Sequence, residues 1–494
     1  MDLLDNTTIL LLFSLCCLLL LAIQRKGTKN KNVPPGPTPL PFIGNLLQLN
    51  FKNLAGSLKK MSEKYGPVFT VHFGSEPVVV LHGYETVKEA LVERGDQFVH
   101  RGSLPLVDKT NKGLGILMSS GERWVQLRRF SLATLRNFGM GKKSIEEQIQ
   151  EEATHLMKEL RAKKGQPFDP ASLLSCASCN VISHILLGER FSYQDQEYLE
   201  VLHMLTESFR LENSVAGQLY GLFPSIMEYL PGSHQTYFKN LFAIQAFVAK
   251  KVKEHERNVD PNAPRDFVDA FLLKMEQERS NAKTEFTREN LNMTVYDLFI
   301  AGTETTSITL RYILMVLTEY PAVQAKVRQE VDQVIGQERP PAMKDRPQMP
   351  FTEAVLHEAQ RCLDLVPLGL VRMVKQDTEI QGFAIPKGTS IFTVLSSALH
   401  DHGQFKNPYQ FDPEHFLDEN GAFKKNGADM PFSAGKRNCV GEGLARMELF
   451  LYLTTILQSF YLKRPPGVTK IDVTPALSGI GNIPPPVLLC LSPR

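Results

Sequence analysis

Apolar and polar positions divide the chain into one uncharged N-terminal run and a long stretch of changing periodicity. Residues 6–23 carry no charge and 9–21 are almost wholly apolar, a length that just spans a bilayer as a helix. Asp2 and Asp5 stand where a signal peptide would carry basic residues, and no small-x-small cleavage site follows, so the pattern predicts an uncleaved anchor. Arg25, Lys26, Lys29 and Lys31 then hold that end in the cytosol. The prolines of 33–41 fix the backbone repeatedly and predict an extended, semi-rigid spacer.

Beyond the spacer the pattern is mostly helical. Residues 65–74 and 77–81 predict two short strands joined by a turn. Residues 98–117 read as irregular, with Gly102, Pro105, Gly113 and Gly115, and Gly121 then opens a helix. From Ile145 to about Asp260 the periodicity is mainly helical. Thr287 caps a helix that runs to about Tyr320, where Pro321 stops it. Residues 366–372 and 391–395 predict short strands, and 477–483 an apolar turn. Length alone suggests roughly three domains, but no long linker interrupts the chain after its N-terminal region, so one large helix-rich domain is expected.

Composition narrows the classes. Lys and Arg number 55 against 53 Asp and Glu, which gives no nucleic-acid-like excess. Cys16, Cys17, Cys176, Cys179, Cys362, Cys439 and Cys490 form no regular framework, so a disulfide scaffold is excluded and a reduced, cytosol-facing chain is expected. Cys176-Ala-Ser-Cys179 stands without a second pair and reads as two core thiols on a helix.

Candidate chemistry centres on Pro-Phe-Ser-Ala-Gly-Lys-Arg-Asn-Cys-Val-Gly over 431–441. Cys439 sits among small residues just before a helical stretch, where free N–H groups and the helix dipole favour a thiolate. Gly435 and Gly441 let the backbone bend and a flat ligand approach. A second concentration, Ala-Gly-Thr-Glu-Thr-Thr-Ser over 301–307, lies inside the long helix, which such residues weaken. Its threonines can bond back to carbonyls, and Gly302 leaves room over a cofactor face.

Phe432, Gly435, Arg437, Cys439 and Gly441 form Phe-x-x-Gly-x-Arg-x-Cys-x-Gly, which resembles the haem-binding loop of the cytochrome P-450 (haem-thiolate) family. The resemblance implies a mainly α fold with a smaller β region, haem b as cofactor and Cys439 as the axial ligand of its iron, with Phe432 and Arg437 beside the haem. Trp124-x-x-x-Arg128 is similar to the family's pair for a haem propionate, and Arg101 and Arg372 fall where related proteins place further donors. Close relatives usually carry histidine at the Arg372 position. Residues 301–306 match the oxygen-activation motif. Dioxygen reduction to the point of O–O scission consumes two protons, so the resemblance implies Thr305 as the hydroxyl at the oxygen site and Glu304 as proton relay. Glu358 and Arg361 resemble the family's buried Glu/Arg pair, with His415 where most members carry arginine. Leu104, Leu106, Phe299, Ala301, Val366, Leu370 and Ile480 are the implied substrate pocket; none offers a fixed charge, so apolar substrates are expected.

Phe-Asp-Pro-Glu-His-Phe-Leu over 411–417 and Leu-Ala-Arg-Met-Glu-Leu-Phe-Leu over 444–451 are similar to the vertebrate microsomal family-two type. That likeness implies an anchor over 1–24, a basic and proline-rich hinge over 25–41 and a monooxygenase domain over 42–494. It implies the endoplasmic reticulum membrane, with the catalytic domain in the cytosol. It further implies NADPH–cytochrome P-450 reductase as electron donor and cytochrome b5 as a second one. Xenobiotics, polyunsaturated fatty acids and steroids are the candidate substrates. A haem-thiolate peroxide isomerase and a non-catalytic haem-binding protein are the alternatives; the intact Glu304-Thr305 pair speaks against the first. The apolar stretch 219–231 reads equally as core at a helix junction or as a second membrane contact. Arg123, Arg129, Arg136, Lys142, Lys143 and Lys436 form either a docking face for an acidic electron donor or ordinary solvated charge.

Overall fold

The computed structural model describes residues 8, 10, 11, 13–15, 32–138 and 143–494. The helices that frame its interior are α1 (Gly121–Asn137), α2 (Ala171–Leu187), α3 (Gln196–Glu212), α4 (Ser233–Glu256), α5 (Arg288–Glu319), α6 (Pro350–Leu363) and α7 (Glu442–Ser459). Helix α5, with 32 residues, is about 48 Å long at 1.5 Å per residue. Its first turn is capped as expected, the Thr287 side chain accepting from the Asn290 N–H at 3.2 Å. Buried residues lie round most of it, against α2, α4, α6 and α7, and the stripe through Ala301 and Thr305 is left open. The threonines do bond back: the Thr303, Thr305 and Thr309 hydroxyls donate to the carbonyls of Phe299, Ala301 and Thr305 at 2.7, 2.6 and 2.7 Å. Gly302 has a different use from the one expected. A side-chain carbon there would come within 2.8 Å of Ile182, so the glycine lets α5 pack closely on α2.

The β region is small. Strands β1 (Val68–Phe73), β2 (Glu76–Leu81), β3 (His100–Arg101), β4 (Arg372–Met373) and β5 (Ser390–Thr393) form one sheet in the order β1-β2-β5-β4-β3. β1 and β2 make the expected hairpin, with Val68 opposite Leu81. β3 and β4 are antiparallel, with Arg101 directly opposite Arg372. Residues 98–117 are more ordered than expected, because Pro105 starts a helix over Pro105–Asn111. Residues 366–371 form turns, so the strand expected there shrinks to β4. The apolar turn near the C-terminus is a hairpin, Leu477–Ser478 pairing with Asn482–Ile483. Cys176 and Cys179 are buried on α2, as expected of core thiols.

The proline-rich segment is docked, not free. The Thr70 N–H donates to the Pro35 carbonyl at 2.7 Å and the Ala384 N–H to that of Asn32 at 2.7 Å, while Pro34 and Pro37 are buried. Prolines lack a donor but keep the carbonyl, so such a segment can still edge a sheet. Of the expected anchor, residues 8, 10, 11 and 13–15 are helical, with Leu10, Leu11 and Phe13 about 70% exposed. The rest of 1–24 lies outside the described residues, among which no helix is long and apolar enough to cross a membrane.

Below the site, α6 is locked to the loop that leads towards Cys439. The Arg361 guanidinium donates to both oxygens of Glu358 at 2.7 Å and to the carbonyls of Leu399 and Pro408 at 2.8 and 2.6 Å. His415 completes a triad, its Nδ1–H donating to Glu358 at 3.2 Å. Burial alone would lower the histidine's pKa, but the Glu358 hydrogen bond and charge raise it. Its stabilising effect is therefore full below the ordinary histidine range and fades as pH rises through the raised value. Arg361→Met would leave Glu358 buried and short of its main partner, and we expect a loss of about 3–5 kcal/mol in denaturant unfolding at neutral pH. Unchanged stability would contradict the lock.

Candidate active site

Helix α5, helix α7 and the 431–441 loop enclose a cavity of about 310 Å³. From α5 it is lined by Asp297, Leu298, Ala301, Gly302, Thr305, Thr306 and Thr309, a stripe at helical spacing. From α7 it receives Leu444, Ala445, Glu448 and Leu449, and from the loop Phe432, Arg437, Cys439 and Gly441.

The loop is shaped around the cysteine. The Cys439 N–H donates to the Phe432 carbonyl at 3.0 Å, and that of Asn438 to Gly435 at 3.1 Å. Gly435 has φ +72°, and a side-chain carbon there would lie 1.7 Å from the Leu91 carbonyl oxygen, so only glycine fits. Cys439 lies deep in the protein, yet its accessible surface opens on the cavity. The expectation of a lowered thiol pKa is not met in this chain alone. Burial pushes the thiol up and outweighs the N–H groups of Gly441 and Glu442 and the charge of Arg128, which pull it down. A thiolate here needs a further positive centre on its open side.

One part of the cavity wall is strongly cationic. Arg101, Arg128, Arg372 and Arg437 all line it. Arg437 donates to the carbonyl of Val99 at 2.8 Å and to that of Ser119, and its guanidinium lies 4.0 Å from the Trp124 ring centre. Arg101 donates to the Leu117 carbonyl at 3.0 Å, and Arg372 to the Ser433 hydroxyl at 3.3 Å. Among the described residues no acid pairs with the group. Burial first, then mutual repulsion, pushes Arg437 down to about 8 and Arg372 to about 10, and lowers Arg101 as well. Trp124 Nε1 and Arg372 Nε are buried without a hydrogen-bond partner. Such a wall fits a flat group bearing two carboxylates, and its open donors fit haem propionates. Arg128, which lines the same wall, also grips the residue before Cys439: its Nη2 donates to Asn438, at 2.8 Å to the carbonyl and 2.7 Å to the side chain.

The acid–alcohol pair divides. Thr305 faces the cavity, and because its O–H is given to Ala301, its oxygen is free to accept there. Glu304 does not line the cavity. It is buried on another face of α5, accepting from the Thr206 hydroxyl of α3 at 2.7 Å. Burial pushes its pKa up to about 7, with Thr206 and Arg311 holding it back.

Of the expected substrate residues, Ala301, Val366 and Leu370 line the cavity, and Leu104, Leu106, Phe299 and Ile480 do not. Phe299 is fully buried towards α4 against Phe247, because one residue along α5 turns the side chain by roughly 100° away from Leu298. Leu106 is core. The charge-free wall is not found either. Asp297 accepts from the N–H groups of Ile116 and Leu117, both at 2.9 Å, and burial pushes it up to about 7. Glu448 is buried with one oxygen unpaired, and burial raises it well above the carboxylate range. Asp297 shares the spacing of Ala301 and Thr305 and could have been read from the sequence; Glu448 looks like any acid on a helix. In the expected basic face, Arg123 pairs with Glu285 at 2.8 Å and Lys436 pairs with Asp96. Arg129 and Arg136 are exposed, and Lys142 lies outside the described residues.

A family model described as Cytochrome P450 matches residues 34–491. The chain is similar to cytochrome P450 2C23 of Rattus norvegicus, 53% identical over 494 residues and 100% of both chains. It is also similar to cytochrome P450 2C44 of Mus musculus, 52% identical over 100% of both chains. To cytochrome P450 2C11 of Rattus norvegicus it is 53% identical over 99% of this chain and 98% of the relative.

The unpaired indole N–H gives a direct test of the cradle. Trp124→Phe keeps the ring contact with Arg437 but removes that donor, and a hydrogen bond to a charged acceptor contributes about 1.5–3 kcal/mol. Haem should pass from the variant to a scavenging apoglobin at least about tenfold faster than from the unaltered protein. Equal rates would mean that the indole N–H does not hold the haem.

Proposed function

The chain belongs to the cytochrome P450 family, and from that membership we propose how its own residues serve the reaction. The protein is a haem-thiolate monooxygenase that takes electrons from NADPH through a flavoprotein reductase. It puts one oxygen atom into a small molecule of the xenobiotic, fatty-acid or steroid type and releases the other as water. The observation that carries the assignment of residues is the pairing, on one cavity, of the open thiol of Cys439 with the unneutralised arginines.

Bound haem supplies the redox chemistry that activates dioxygen. Cys439 is its thiolate ligand, and the iron's charge offsets the burial that otherwise keeps the sulfur protonated. Arg101, Arg128, Arg372, Arg437 and Trp124 would hold the two propionates, with Phe432 and Gly441 on the loop side of the same cavity. Arg128, through Asn438, positions the cysteine loop. Thr305 accepts a hydrogen bond from water at the reacting face, and Glu304, the residue before it, stores a proton on another face of the helix. A carboxyl with a pKa of about 7 exchanges protons in both directions at working pH. Ala301, Val366 and Leu370 border the substrate's reacting end.

The remaining assignments concern the surroundings. The uncharged run within 1–24 anchors the protein in the endoplasmic reticulum membrane, and the domain from 42 faces the cytosol. Phe42, Ile226 and Tyr229, which are 72%, 62% and 87% exposed, add a second membrane contact. Arg129 and Arg136 meet the reductase and, as a second donor, cytochrome b5.

Purified protein in lipid with reductase and NADPH should give NADPH-dependent products heavier by one oxygen from fatty acids, steroids or small aromatics. Rearranged peroxides formed without NADPH would point to an isomerase instead. Thr305→Ala should divert NADPH consumption to peroxide, lowering product per NADPH by about tenfold or more. For Glu304 the sign is set by its raised pKa: the stored proton is present below about 7 and lost above it. Product per NADPH should therefore fall as pH rises through about 7 and lose that inflection in Glu304→Gln; an unchanged profile would remove Glu304 from the relay.

A further inference from the structure

His357 of α6 is buried where α6, α7 and the segment leading to the cysteine loop meet, against the rings of Phe416 and Phe423. Its Nδ1 lies 2.5 Å from a carboxylate oxygen of Asp429, so that nitrogen carries a hydrogen and donates. Its Nε2 has two neighbours with opposite demands. The Glu353 carboxylate, 3.1 Å away, accepts, and the Arg446 guanidinium of α7, 2.9 Å away, donates. One nitrogen cannot serve both. Protonated, Nε2 donates to Glu353 and faces Arg446 as a second cation; neutral, it accepts from Arg446.

Arg446 is tied to the cysteine loop. Its guanidinium lies 4.9 Å from the centre of the Phe432 ring, and the Phe432 carbonyl accepts the Cys439 N–H at 3.0 Å. Its other donors go to Glu442 at 3.0 Å and to Gln360 at 3.3 Å. We propose that Arg446 is a positioning residue for the cysteine loop, and that His357, aligned by Asp429, tightens its hold by offering it a lone pair or loosens it by taking a proton. This rests on the haem-thiolate reading and names what steadies the ligand. Burial and the charge of Arg446 lower the ring's pKa, but Asp429 and Glu353 outweigh them and raise it above the ordinary histidine value. Arg346, bonded to Glu353 at 2.7 Å, and Glu442 are the next charges outward. Two opposite pH trends follow. The ion pairs of the protonated ring stabilise the fold fully below the ordinary histidine range and are lost as pH rises through the raised value. The grip on the loop is gained over that same rise.

The test uses the haem-loaded protein, reduced under carbon monoxide, and follows the loss of its thiolate-type spectrum across and above the ordinary histidine range. In the unaltered protein the loss should slow about tenfold as pH rises through the pKa of His357, the effect of one hydrogen bond to a charged donor. Asp429→Asn keeps an acceptor for Nδ1 but removes the charge, so the slowing should move to lower pH. Near neutrality that variant should keep its thiolate longer than the unaltered protein and yet unfold at lower denaturant, a pairing that a purely structural role would not give. Arg446→Leu should lose its thiolate fast at every pH and show no slowing. An undiminished slowing in Arg446→Leu overturns the inference. So does an Asp429→Asn variant that loses stability and thiolate together, and this result decides even if Arg446→Leu fails to take up haem. If the unaltered protein shows no thiolate-type spectrum at all, the assignment of Cys439 falls and this inference with it.

Discussion

Positive charge that the protein cannot neutralise by itself is the constraint on which the rest of the structure depends. Arg101 and Arg372 stand opposite each other on adjacent strands, and Arg437 reaches the same wall from the cysteine loop. Like charges in that arrangement repel, the more so in a low-dielectric interior. Carbonyls of Val99, Leu117 and Ser119 steady the guanidiniums without cancelling their charge. A bound dianion would offset this repulsion and so stabilise the β region, the loop and α1 together.

The same cofactor would resolve a conflict at the cysteine, whereas two acids near the cavity are poised by the protein itself. Cys439 is buried in a setting that favours the neutral thiol, and Glu304 and Asp297 are acids held near neutrality by burial. A metal on the open side of the sulfur reverses the first preference. The acids stay poised because α3 and the 116–117 backbone, not the cofactor, satisfy them. Helix α5 links these settings, since its hydroxyls bond inward to its own carbonyls and leave acceptor oxygens on the cavity side.

The sequence carried the fold where local rules suffice. The Thr287 cap, the Pro321 stop, the β1–β2 hairpin and the helix after Cys439 follow from caps, prolines and periodicity. The cysteine loop and Trp124 were legible because few other sequences place those residue types so. Other features depended on partners far along the chain. Gly302 reads as room for a cofactor, but its neighbour is Ile182, some 120 residues earlier. The second use of Arg128, its grip on Asn438, was equally hidden, since 310 residues separate the two. Phe299 lies two residues before the motif segment yet points away, because a helix turns neighbouring side chains to different faces. Glu448 gave no signal, since an acid on a helix is ordinarily solvated and only tertiary packing buries it.

The most direct test of the cationic wall compares the apoprotein's thermal midpoint with haem and with haem dimethyl ester. The ester has the same ring and iron but no propionate charge. If the arginines are built for the dianion, haem raises the midpoint strongly and the ester recovers only a small part of that rise. Equal stabilisation by the two would contradict an electrostatic cradle and leave Cys439 and apolar contact as the whole of the binding.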